Sequence, residues 1–151
     1  MMTRQEAIDK VMALFDEGYA CSQSILLAFG DAFGYDEKTA RLLSATFGGG
    51  MGRLRDKCGA ATGSFMVCGL AYAPEDPKDM DNKLLSYRKV RELNKALEEE
   101  FGTVNCSELL TKYATREAVE KRQHHQVICK TVLASAAGNL YDKLVEDGKL
   151  R

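Results

Sequence analysis

Apolar residues recur at helical spacing from the first turn of the chain onward. Ile8, Val11, Met12, Leu14 and Phe15 follow a 3.6-residue repeat, and Gly18 closes that segment. A second helix is predicted over 20–33, carrying Ile25, Leu26, Leu27, Phe29 and Phe33, with Gly34 as its stop. Asp36 can cap a short third helix running to Ala45, because a carboxylate accepts from the free N–H groups of a first turn. Asp56 is expected to do the same for a helix over 57–72. A long amphipathic helix follows over 79–101, with Val90, Leu93, Leu97 and Phe101 on one face and Gly102 ending it. Asn105-Cys106-Ser107-Glu108 has the spacing of a capping box and opens a short helix carrying Leu109 and Leu110. The last helix is expected over 116–145, interrupted near His124 and His125. No segment alternates at period two, so no strand is predicted.

This pattern predicts an all-α fold, a bundle of about six or seven helices. The 151 residues are expected to form a single domain over 1–151, long enough to bury a core. Ala73-Pro74-Glu75-Asp76-Pro77 holds both prolines and is the clearest connector. It reads as a turn inside the domain, since either side alone would make a poor core. One stretch breaks the helical pattern: Phe47-Gly48-Gly49-Gly50-Met51-Gly52-Arg53. Helix and strand interiors both lose stability at glycine, so a loop is expected before the central helix. Its backbone would pass close to something or enter the left-handed region.

The net charge of −1 gives no reason to expect nucleic acid or an anionic membrane surface as partner. The apolar runs are too short to span a bilayer. Met1-Met2-Thr3-Arg4-Gln5-Glu6 leads straight into a charged, periodic segment without an apolar core or a small-residue cleavage site. No secretory signal is expected, and the expected compartment is cytoplasmic, where thiols stay reduced.

Five cysteines then require an explanation. Their number is odd, so they cannot all pair within one chain, and metal, catalysis, redox sensing or simple packing are the options. Cys21 lies near the start of the second helix, Cys58 two residues after Asp56, and Cys106 directly after Asn105. A helix N-terminus carries roughly half a positive charge and free N–H donors, and both favour a thiolate. Arg53, Arg55 and Lys57 add positive charge around Cys58. Thiolates attack disulfides and bind soft metals.

Cys129 is expected in mid-helix, four residues after His125. The two would share a face and could hold one metal together, but packing beside Val127, Ile128 and Val132 is the favoured reading. Cys68 follows Cys58 by ten residues, which on a helix is about 15 Å and about 280° of rotation. Cys68 therefore cannot meet Cys58 and is expected to pack in the apolar run 65–70.

A glycine loop feeding a helix start beside Arg53 and Arg55 can bind an anion. It is not a Walker loop, for it lacks the Lys-Ser/Thr pair, nor a dinucleotide fingerprint, for no strand precedes it. The favoured reading is close passage of the backbone by the cysteines, with Gly49, Gly50, Gly52, Arg53 and Gly59 lining any bound group. The chain has no Cys-x-x-Cys pair and no Cys-x-x-Cys-His, so neither a thioredoxin motif nor covalent haem attachment is encoded. There is no nucleophile elbow and no paired-carboxylate site.

The order Cys21, Phe47 to Arg53, Cys58-Gly59-Ala60-Ala61-Thr62-Gly63, Cys106 and Cys129 resembles the C_GCAxxG_C_C family, proteins described as redox-active on the strength of their cysteines. The resemblance runs over nearly the whole chain. Its most specific parts are the glycine stretch and the Cys58 to Gly63 segment, where the family label writes Gly-Cys-Ala and this chain reads Cys-Gly-Ala. It implies that Cys21, Cys58, Cys106 and Cys129 are the family positions, that Cys68 is outside them, and that Gly59, Ala60 and Gly63 let another helix close over Cys58. The family is similar to the non-haem part of split-Soret cytochromes, which implies an iron–sulfur or related thiolate-bound metal centre without the haem.

Three functions follow as expectations. The first is electron transfer through an iron–sulfur cluster on Cys21, Cys58, Cys106 and Cys129, serving a redox partner protein. The second is metal-free thiol–disulfide chemistry, with Cys58 as nucleophile and Cys21 or Cys106 resolving. The third is a binding domain in which the cysteines only pack, structural zinc being a variant. An exposed apolar face would be compatible with a homodimer.

Overall fold

The computed structural model describes residues 2–150, the side chain of His125 excepted. Helix α1, Arg4–Asp16, starts at a reciprocal cap: Thr3 Oγ1 accepts from Glu6 N, and Glu6 accepts from Thr3 N. Helix α2, Cys21–Gly30, is buried along nearly its whole length and continues into a 3-10 turn, Asp31–Phe33, which Gly34 ends at φ 68°. Asp36 caps α3, Glu37–Ala45, as the sequence predicts, accepting from Thr39 N at 2.9 Å. A single turn, α4, spans Gly48–Met51, and α5 spans Gly59–Tyr72. Helix α6, Met80–Phe101, is capped by Asp79 and stopped by Gly102 at φ 82°. Asn105 caps α7, Cys106–Tyr113, by accepting from Glu108 N at 2.9 Å. Helix α8, Arg116–Glu120, a 3-10 turn, His124–Gln126, and α9, Ile128–Glu146, complete the chain.

The fold is all-α: among the described residues no strand forms, and a lone antiparallel bridge joins Lys57 to Asn105. No described helix is long and apolar enough to cross a membrane.

Helix α5 packs against α2, α6 and α9, while α1 lies across α2 and α9. The small residues on the first turns of α5 make this possible. A Cβ on Gly63 would stand 2.8 Å from the Ser22 carbonyl oxygen and 3.0 Å from Ile25 Cβ, so α2 and α5 are in backbone contact there. Ile25, Phe29, Val67, Leu97, Leu133, Leu140 and Leu144 are fully enclosed within one continuous apolar cluster.

The break near the histidines forms as expected, and two local expectations are corrected. The last helix is three pieces: the break expected near the histidines ends at Val127, whose φ of −118° and ψ of −80° leave the helical region. Cys129 is therefore the second residue of α9, not a mid-helix residue, and it shares no helix with His125. The pairing of Cys129 with His125 loses its helical basis, and the His125 side chain lies outside the described residues. Finally, Asp56 does not cap α5; the N-cap is Cys58 itself, at φ −58° and ψ 136°. Asp56 is held elsewhere, donating from its N–H to Gly50 O and accepting from Cys106 N.

A candidate four-cysteine site

Four cysteines stand at four helix starts. Cys21 is the first residue of α2, Cys58 the N-cap of α5, Cys106 the first residue of α7 and Cys129 the second of α9. All four line one cavity of about 680 Å³. Gly49, Gly50, Gly52, Arg53 and Gly59 line it as well, together with Arg55 and His124. Cys68 does not: it is enclosed in the core on the far part of α5.

Backbone pairing holds the site together. Cys58 N donates to Val104 O at 2.8 Å and Ser107 N donates to Arg55 O at 3.1 Å, which joins the start of α5 to the start of α7. Arg55 N and Asp56 N in turn donate to Gly49 O and Gly50 O, so the glycine turn is tied to the same bridge. That turn is not an open loop. Gly49, Gly50, Met51, Gly52 and Arg53 all have φ between 56° and 68°, and Arg55 follows at 62°. A residue with a Cβ loses about 1–2 kcal/mol in that conformation, so Met51, Arg53 and Arg55 are held there by the surrounding bonds. The glycines are required for contact as well. A Cβ on Gly50 would lie 2.6 Å from Cys106 Cβ, and one on Gly59 would lie 3.1 Å from Cys21 Cβ. The main chain therefore forms part of the wall behind two of the thiols.

The electrostatics invert one expectation. The helix start and basic neighbours of Cys58 predict a lowered pKa, but burial pushes its thiol up to about 12, with the N–H groups of Ala60 and Ala61 pulling the other way. The Lys57 ammonium is directed to Asn94 Oδ1, to which it donates at 2.8 Å. Burial also raises Cys106, opposed by the Arg55 guanidinium, whose Nη1 lies 3.8 Å from the Cys106 sulfur. The thiol held below its usual range is Cys129, which accepts a hydrogen bond from Cys21 and also feels Arg55. Cys21, the donor in that pair, is raised well above the usual range by the same bond and by burial. Among the four cavity thiols, Cys129 is the one set to carry negative charge.

Among the described residues, no three His, Cys, Asp or Glu side chains are arranged as ligands of a single metal ion. Arg122 and Gln126 also line the cavity and went unnoticed in the sequence. Nothing in their local pattern marks them, because the break between α8 and α9 that carries them into the cavity contains neither glycine nor proline.

A family model described as "Putative redox-active protein (C_GCAxxG_C_C)" matches residues 19–142. The chain belongs to the C_GCAxxG_C_C family. The matched span opens two residues before Cys21 and runs past Cys129, so it takes in all four cavity cysteines and the glycine turn. No curated protein and no solved structure matches the chain. Redox activity is thus the family-level description of this C_GCAxxG_C_C protein.

Proposed function

We propose that this protein is a redox carrier whose Cys21, Cys58, Cys106 and Cys129 hold an iron–sulfur cluster. The observation that carries this reading is the convergence of four cysteines, from four separate helix starts, on one cavity. The donor set suits the group: four thiolates are its usual ligands. The cavity that the four thiols share, at about 680 Å³, leaves room for it.

When bound, such a cluster supplies one-electron chemistry. The chain's own residues hold it, offset its charge and shield it. The first N–H groups of α2, α5, α7 and α9 and the Arg55 guanidinium favour negative charge on the sulfurs. Burial of Cys58 limits the access of water from the α5 side.

A second reading has its own observation. Cys21 and Cys129 line the same cavity and shift each other's thiols in opposite directions, which favours a metal-free dithiol. In that reading the Cys129 thiolate attacks a disulfide in a partner and displaces one of its sulfurs as thiolate. Cys21 then loses its proton and attacks Cys129, which yields a Cys21–Cys129 disulfide and the reduced partner.

Anaerobic purification, a visible spectrum and assays for iron, sulfide and zinc test the two readings. The cluster reading expects a coloured protein with iron and sulfide, colourless in Cys58→Ser and unchanged in Cys68→Ala. A colourless, metal-free protein that loses two thiols on mild oxidation, with Cys21 joined to Cys129, would replace it by the dithiol.

A further inference from the structure

We infer that the outer part of the cysteine cavity is a binding site for a small molecule bearing a carboxylate or oxyanion group, held by Arg53 and Arg122. This holds whichever centre the cysteines carry. The cavity, at about 680 Å³, has the size of a small-molecule pocket. Its walls carry Arg53, Arg55 and Arg122 against one acid, Asp16, which is already engaged by Lys130 at 2.7 Å. Arg55 points inward to the Cys106 sulfur. Arg53 and Arg122 are exposed, so they line the cavity where it opens to solvent, and neither forms an ion pair with any described carboxylate. Outside the cavity, Arg4, Arg41, Arg88 and Arg116 each pair with an acid, while Arg91 does not.

The backbone gives a second, independent observation. Among the described residues the non-glycine positions with left-handed φ are Met51, Arg53, Arg55 and Arg122. All three arginines in that set line the cavity, from two segments far apart in sequence. Conformations of this kind persist where the surroundings enforce them, and they cluster at binding sites. A planar guanidinium fork matches a carboxylate or phosphate edge with two parallel hydrogen bonds. A concave pocket with thiols on its floor and cationic forks at its mouth fits a small anion whose other end faces the cysteines, rather than a flat protein surface.

Titration calorimetry on the full-length protein as isolated tests this with succinate, inorganic phosphate and the neutral isostere succinamide. Succinate or phosphate is expected to bind, and succinamide to bind at least about tenfold more weakly. Arg53→Gln and Arg122→Gln should each weaken anion binding by about tenfold. Arg53→Gly and Arg122→Gly should lose binding equally while the unfolding midpoint stays level or rises, which separates lost contact from misfolding. Failure of both anions to bind, or undiminished binding in the double Gln variant, overturns the inference. So does a double variant that shifts the reduction potential without touching anion binding, for the arginines would then serve the cysteine centre alone. Binding of an acidic protein but of neither small anion also overturns it. A colourless, metal-free protein that binds succinate through these arginines would retire the cluster and leave the inference standing.

Discussion

Cys58 and Cys129 face the same cavity, yet their thiols are shifted in opposite directions. Both stand at helix starts, so the helix dipole does not separate them. Cys58 is enclosed, with only backbone N–H groups acting to lower it, whereas Cys129 has a thiol donor and an arginine. In the reduced, metal-free protein, iodoacetamide at neutral pH should therefore label Cys129 first and leave Cys58 unlabelled until unfolding, as read by peptide mass spectrometry. Equal labelling of the two would refute the charge assignment. Cys68 supplies a pH dependence of its own. Burial raises its thiol to about 12, with Lys143 and Lys89 opposing. A raised folded-state pKa means that the stabilisation is complete below the unfolded thiol's pKa and is lost as pH climbs from about 9 to about 12. Over that window the slope contributed by this one thiol approaches about 1.4 kcal/mol per pH unit. Urea midpoints measured from pH 8 to 11 should fall, and should fall less steeply in Cys68→Ala.

At the scale of elements, the contact between α2 and α5 decides where the cysteines stand. Gly63 admits the Ser22 backbone at a distance no Cβ tolerates, and an added Cβ on Gly59 would press on Cys21 Cβ at 3.1 Å. Gly63→Ala should cost about 1–3 kcal/mol through overpacking, and should disturb Cys21 and Cys58 together. Gly69, on the same helix, has nothing within 4 Å of an added Cβ. Gly69→Ala should instead gain about 0.5–1 kcal/mol. Denaturant midpoints of the two variants give the comparison, and equal signs would contradict the backbone-contact account. The glycine turn is a second such element. Gly50→Ala combines a left-handed φ with a clash against Cys106, so it should damage the site more than Gly52→Ala, whose added Cβ meets only Thr46 O at 3.8 Å.

For the whole molecule, the four cavity cysteines lie far apart in sequence, between residues 21 and 129, and belong to four helices that each also contribute to the core. A centre bound to all four ties those helices together and, by linkage, raises the stability of the folded state. On the proposed cluster reading, removing iron with a chelator should therefore lower the thermal midpoint by several degrees, since about 1 kcal/mol corresponds to roughly 2–8 °C for a domain of this size range. The same treatment of Cys58→Ser should produce no further change. A midpoint indifferent to metal would place the cysteines outside the folding unit's energetics.

Periodicity and capping residues were enough to make most helices legible, because amphipathic spacing and side-chain caps such as Asp36 and Asn105 act within a few residues. The helix-start position of Cys106 was legible for the same local reason, and the glycine stretch announced a close approach. Cys129 was misplaced because the break before it carries no glycine or proline; its helix starts where the chain turns toward the cavity. Cys58 took the cap in place of Asp56 because the preceding residues are paired with the segment before α7, a partner some fifty positions away. The charge order of the thiols, the third arginine at the cavity and the left-handed winding of the glycine turn depend on burial and on contacts between distant segments. Sequence alone determined which helices form and that glycines and cysteines would meet. Only the tertiary structure decided which thiol carries charge and which cations face it, because desolvation and Coulomb interactions depend on distances that the order of residues does not set.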